Sequence, residues 1–130
     1  MRILVDTDVM SYAFKDDSRS LLFSRRFNDC DLCISFMTVA ETERWRIGRG
    51  WGPARVLAWR SFASKFMVLP VSFETCRYWA EVIEGLSDKG YSISESDAWI
   101  AATAQEVKCP PMTNNVRHFH HIDGLQLWAP

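Results

Sequence analysis

The apolar residues of this chain fall into short dense runs separated by longer amphipathic stretches. Ile3-Leu4-Val5 is an unbroken apolar run stopped abruptly by Asp6. A run without polar alternation suits a strand buried on both faces of a parallel sheet. Leu32-Cys33-Ile34-Ser35 and Met67-Val68-Leu69-Pro70 repeat the pattern. Pro110-Pro111-Met112-Thr113 predicts a fourth strand near a sheet edge, because proline cannot donate to a ladder, and Leu125 to Trp128 predicts a weak fifth. Helices are predicted over Met10 to Phe14, Leu21 to Phe27, Thr38 to about Ile47, Ala54 to Phe66, Phe73 to Leu86, and Ser94 to about Val107. Gly48, Gly50, Gly52 and Pro53 separate the third from the fourth. Strands alternating with helices imply an α/β fold, a mostly parallel sheet of four to five strands with helices on both faces. No composition break, repeat or low-complexity tract divides residues 1–130, which read as one domain.

A chain of 130 residues can bury a core without disulfides. No run of ~18 uncharged apolar residues could form a transmembrane helix. An acid at the sixth residue and the lack of a small-residue cleavage site argue against a secretory signal, so a cytoplasmic location is expected. There Cys30, Cys33, Cys76 and Cys109 stay reduced. The Cys30–Cys33 spacing has no second close pair beside it, and His118, His120 and His121 have no cysteine nearby. Neither group predicts zinc.

With a formal net charge of −1, no global basic field advertises nucleic acid. The distribution is more telling. Between Arg44 and Arg60 stand five arginines (Arg44, Arg46, Arg49, Arg55, Arg60), no acid, and Trp45, Trp51 and Trp59. Arginine grips phosphate and tryptophan offers stacking or an anchor, so this segment is the candidate surface for RNA or a protein partner. The competing reading is a solvated arginine face whose tryptophans belong to the core.

In open parallel sheets, ligands bind at the carboxyl ends of the strands. Asp6 ends the first strand, and Glu41 falls in the first turn of the helix after the second. Asp97 opens the helix that precedes the fourth strand, which runs antiparallel to it, and Asn115 follows that strand. All four are predicted to meet at one rim. Carboxylates crowded together repel, and a cation relieves them. Oxygen ligands without thiolate or imidazole favour Mg²⁺ or Mn²⁺, which activate water and offset charge building on a phosphodiester. Against this, Thr38-Val39-Ala40-Glu41 and Ser94-Glu95-Ser96-Asp97 each match a helix capping box, in which the acid only satisfies a backbone donor.

The segments Val5-Asp6-Thr7-Asp8-Val9, Thr38-Val39-Ala40-Glu41-Thr42-Glu43, Ser96-Asp97-Ala98-Trp99-Ile100-Ala101-Ala102-Thr103-Ala104 and Met112-Thr113-Asn114-Asn115-Val116-Arg117-His118-Phe119 together resemble the PIN domain. More narrowly they resemble the VapC-like toxins of bacterial toxin–antitoxin pairs. The resemblance implies an Mg²⁺- or Mn²⁺-dependent endoribonuclease with Asp6, Glu41 and Asp97 as its acidic core. It also implies a cognate antitoxin and a homodimer. Asp8 and Thr113 then support the metal ligands from behind, and His118 reaches the substrate phosphate. Asn115 stands where PIN domains often carry aspartate, and His118 where many relatives carry another acid. Two alternatives remain. Asp6-Thr7-Asp8 also matches the nucleophile motif of haloacid-dehalogenase-like phosphatases, and Asn115 with His118 would suit a non-catalytic PIN-like docking module.

Overall fold

A computed structural model describes residues 1–129. Four strands, β1 (Arg2–Val5), β2 (Asp31–Ser35), β3 (Met67–Leu69) and β4 (Pro111–Met112), form one parallel sheet in the order β3-β2-β1-β4. The helices are α1 (Thr7–Phe14), α2 (Leu21–Ser24), α3 (Phe36–Gly48), α4 (Pro53–Ala63), α5 (Phe73–Asp88), α6 (Glu95–Val107) and α7 (Val116–Phe119).

The apolar run that predicts β1 accounts for the layering. Ile3, Leu4 and Val5 are fully buried, and successive strand residues point to opposite faces. Leu4 enters a core with Val82 and Leu86 of α5 and Ala98, Ala101 and Ala104 of α6. Ile3 and Val5 enter the other, with Val9 and Met10 of α1, Phe23 of α2 and Trp59 of α4. Helices therefore cover both faces. β2 and β3 lie on one side of β1 and β4 on the other, so the strand order reverses beside β1. That reversal opens a crevice at the carboxyl ends of β1 and β4.

Several boundaries differ from the sequence reading. Among the described residues only four strands form. Trp128 N–H donates to the Pro111 carbonyl at 3.0 Å, but residues 125–128 make no ladder, and Leu125 and Trp128 pack into opposite cores. α1 begins at Thr7 rather than Met10, because Asp6 both ends β1 and caps the helix. α3 begins at Phe36, capped by Ser35, whose Oγ accepts the Met37 N–H at 3.0 Å. The predicted start at Thr38 leaves Phe36-Met37 outside the helix, two residues late. The stretch read as one helix from Leu21 to Phe27 is a single turn, Leu21–Ser24, flanked by 3-10 turns. α4 starts at Pro53, where a missing N–H costs nothing. α7 was not foreseen. Among the described residues no helix is long and apolar enough to cross a membrane.

Candidate active site

At the crevice the first strand delivers Asp6, 3% exposed. Its Oδ1 accepts the Val9 N–H at 3.0 Å, which caps α1, and its Oδ2 accepts the Thr113 hydroxyl. Its own N–H donates to the Met112 carbonyl at 3.0 Å. One carboxylate thus ties together the ends of β1 and β4. Burial, reinforced by the charges of Asp8 and Asp97, lifts its pKa to about 6 against the two hydrogen bonds.

Glu41 lies on the second turn of α3, because the helix starts before Thr38. The capping box expected of Thr38 and Glu41 does not form. Thr38, fully buried, shares a 2.8 Å hydrogen bond with the Thr7 hydroxyl, and Thr7 Oγ1 donates to Glu41 Oε1 at 2.8 Å. Thr7 therefore holds Glu41 beside Asp6. Sequence reasoning passes over Thr7, whose only signal is its place between two acids. Burial raises the Glu41 pKa, helped by Asp8 and Asp97 and opposed by bonds from Thr7 and Ser96.

Asp97 is in the first turn of α6, where its N–H donates to Ser94 Oγ at 3.2 Å. That is half of the expected capping box. The carboxylate turns away, and its Oδ2 lies 2.9 Å from His118 Nδ1. Asn115 Nδ2 donates to Asp8 Oδ2 at 2.7 Å, and its N–H to Thr113 Oγ1 at 2.9 Å. Asp6, Asp8, Glu41, Asp97, Asn115 and His118 thus line one cleft of about 220 Å³.

No lysine or arginine lines that cleft among the described residues. Four carboxylates there face only the amide of Asn115, the imidazole of His118 and hydroxyl groups. Such a donor set fits a hard divalent cation, with His118 as its one nitrogen. Among the described residues no three of the acidic, histidine or cysteine side chains already close around a common point. The hydrogen bonds to Thr7, Thr113, Asn115 and His118 instead hold each carboxylate apart from its neighbours.

The Arg44–Arg60 segment does not behave as one surface. Trp59 is 6% exposed and belongs to the core, so it is unavailable as a partner anchor. Trp51 packs beside it, 5.9 Å between ring centroids, with Phe14 also in contact. Arg46 pairs with Glu43 at 2.8 Å. Arg44 and Arg49 are exposed, and the Arg49 guanidinium stands 4.8 Å from the ring centre of half-buried Trp45.

Residues 3–125 match the model of the PIN domain. The chain belongs to the PIN domain family. Relatives of this PIN domain include ribonuclease VapC2 of Haemophilus influenzae, 24% identical over 97% of this chain and 96% of that one. The tRNA(fMet)-specific endonuclease VapC of Salmonella typhimurium is 24% identical over 98% of this chain and 96% of its own. Among solved structures, VapBC-1 from nontypeable Haemophilus influenzae superposes with a TM-score of 0.85 at 25% identity, over 98% of this chain and 97% of that one.

Proposed function

We propose that this PIN domain is a divalent-metal-dependent endoribonuclease of the VapC kind, held inactive by a cognate antitoxin protein. The observation that carries the reading is the cleft in which Asp6, Asp8, Glu41 and Asp97 converge with no lysine or arginine among them. The names of the curated relatives, ribonuclease and tRNA-specific endonuclease, supply the reaction class and an RNA substrate. The VapBC structure supports an antitoxin partner. We extend the reading to a homodimer, which sedimentation of the purified chain tests.

Asp6, Glu41 and Asp97 would hold Mg²⁺ or Mn²⁺. The bound ion supplies an activated water and offsets charge on the phosphodiester as it is hydrolysed. The protein's own part is positional. Thr113 and the Val9 N–H keep Asp6 oriented, Thr7 keeps Glu41 oriented, and His118 keeps Asp97 turned into the cleft. Asp8, bonded to Asn115, braces the β1 and β4 ends against each other. The three ligand carboxylates bring fewer charges than two divalent ions would, and neutral Asn115 adds none, so we expect one ion in the free enzyme. A second would bind appreciably only when RNA brings its own phosphate charge.

A phosphatase using Asp6 as nucleophile is disfavoured, since among the described residues no lysine lines the cleft to accompany that nucleophile. The test is cleavage of RNA by the purified chain with Mn²⁺ and with EDTA. Cleavage that requires the metal supports the nuclease. Release of phosphate from a monoester with RNA untouched favours the phosphatase. No turnover of either kind leaves a docking module.

A further inference from the structure

His118, His120 and His121 stand close together in the sequence, yet the fold gives them different surroundings. His121 stacks on Tyr91, 3.7 Å between ring centres, and His120 lies edge-on to His121 at 5.1 Å. Neither lines the acidic cleft, and His118 does. The His118 N–H donates to the Asn115 carbonyl at 2.9 Å, and the next residue, Phe119, is 1% exposed in the core beside α6. The imidazole is thus carried on a fixed backbone, and its Nδ1 stands 2.9 Å from Asp97 Oδ2.

The other carboxylates of the cleft are held differently. Asp6 meets the Val9 N–H and the Thr113 hydroxyl, Glu41 the Thr7 hydroxyl, and Asp8 the amide N–H of Asn115. None of those partners offers a nitrogen lone pair to a metal, whereas a neutral imidazole does. Two neighbouring ligands at about 2.1 Å from an octahedral ion stand about 3 Å apart. The separation between Asp97 Oδ2 and His118 Nδ1 matches that edge. Without an ion the same separation is an ordinary hydrogen bond. The neutral ring can pass from one partner to the other in place, provided that its proton sits on Nε2.

We propose that His118 ligates the metal directly beside Asp97, and that its nitrogen makes the cleft favour transition ions such as Mn²⁺ and Co²⁺ over Mg²⁺. The inference rests on the metal site of the reading above and names the class of ion which that site prefers. Oxygen ligands serve magnesium and manganese, whereas imidazole suits the transition ions, whose affinities rise from Mn²⁺ through Co²⁺. A neutral donor adds no charge, so the expectation of one ion in the free protein stands.

The test needs no RNA. Mg²⁺, Mn²⁺ and Co²⁺ are titrated calorimetrically into the full chain, H118N and H118A at about pH 8, where protons compete little for an imidazole. The amide of H118N can still donate to Asp97 but brings no ring nitrogen. Both variants should lose about tenfold in Co²⁺ affinity and less than about threefold in Mg²⁺ affinity. Pulsed electron paramagnetic resonance of the Mn²⁺-loaded wild type should show a nitrogen coupling that both variants lack. Equal losses for all three ions, or full retention of Co²⁺ affinity by H118N, would make His118 a positioning group for Asp97 and overturn ligation. So would bound Mn²⁺ without a nitrogen coupling in the wild type, a result that depends on no variant folding. Cleavage of RNA by the wild type with Mn²⁺ is measured in parallel. Nitrogen coupling without cleavage keeps the ligand and removes the nuclease, whereas metal-dependent cleavage without the coupling does the reverse.

Discussion

Two hollows in this protein hold acidic side chains, and they treat them oppositely. The larger, about 530 Å³, lies between the C-terminal ends of α5 and α6 and the segment 121–126. Its carboxylates are already answered. Lys89 Nζ donates to Asp123 Oδ1 at 2.6 Å, and Glu81 accepts Arg77 Nη1 at 2.9 Å. The smaller, at the carboxyl ends of the strands, gathers Asp6, Asp8, Glu41 and Asp97 with no such partner. Volume ranks the first hollow ahead. Charge balance ranks the second, because crowded carboxylates without a counter-charge store a demand that a cation satisfies. The difference teaches that the site is marked by what its charges lack.

The largest way to break this contrast is to remove a charge from the unbalanced side. Asp6→Asn and Asp97→Asn should each lower RNA cleavage about a thousandfold while the far-ultraviolet circular dichroism stays unchanged. Near-normal turnover by either variant at saturating Mn²⁺ would take that residue out of the ligand set. The matching removal from the balanced side should be silent for catalysis.

Next in size is stability against pH in the metal-free protein. Burial raises the Asp6 pKa from 3.8 to about 6. A raised carboxylate favours the folded state while it is protonated. Its contribution is fully present below the unfolded value and is lost as pH rises through the folded one. Urea unfolding in EDTA should therefore show stability falling between about pH 4 and about pH 7, by about 3 kcal/mol for this group. Glu41, also raised, adds in the same direction. Asp6→Asn should flatten the profile, and so should saturating Mn²⁺. A wild-type curve parallel to that of the variant would show that Asp6 ionises freely.

Much of this layout can be read before any coordinates. The strands are legible because burial on both faces leaves unbroken apolar runs, and the abrupt polar stop at Asp6 marks a carboxyl end. Ser94 is legible as the start of α6 because its hydroxyl does cap Asp97 N–H. Other features depend on contacts distant in sequence. Thr38-Val39-Ala40-Glu41 matches a capping box, so local pattern sets the α3 start at Thr38, whereas the helix begins at Phe36 under a Ser35 cap. Only the bond between Thr38 and Thr7, 31 residues apart, shows that Thr38 is a tertiary contact rather than a cap. The same displacement lowers Glu41 by a turn, and Thr7 restores its reach. Trp128 looks like a strand residue because it is apolar and bulky, yet its side chain fills a core while its backbone makes a single bond to Pro111. Composition likewise could not separate Trp45 from Trp59, which differ in whether a core lies beneath them.

A smaller effect sharpens the contrast by adding charge. Asn115 Nδ2 now bonds Asp8, and Asn115→Asp would set a fifth carboxylate among the four. Mn²⁺ affinity of the free protein should rise about tenfold, and the metal-free protein should become less stable. Weaker binding in that variant would place Asn115 outside the reach of the ion. The smallest effect belongs to the other hollow. Lys89 and Asp123 are 38% and 87% exposed, so Lys89→Met should cost less than about 1 kcal/mol and leave cleavage unaltered. A catalytic defect there would mean that the two hollows are coupled, which nothing in the separate packing of their side chains provides.

The most direct measurement of the central claim is a calorimetric titration of Mn²⁺ into the wild-type protein and into Asp97→Asn, without RNA. An uncompensated cleft predicts saturable binding of one ion to the wild type and a loss of more than about tenfold in affinity when Asp97 loses its charge. Equal binding by both proteins, or none by the wild type under conditions where it cleaves RNA, would contradict the account.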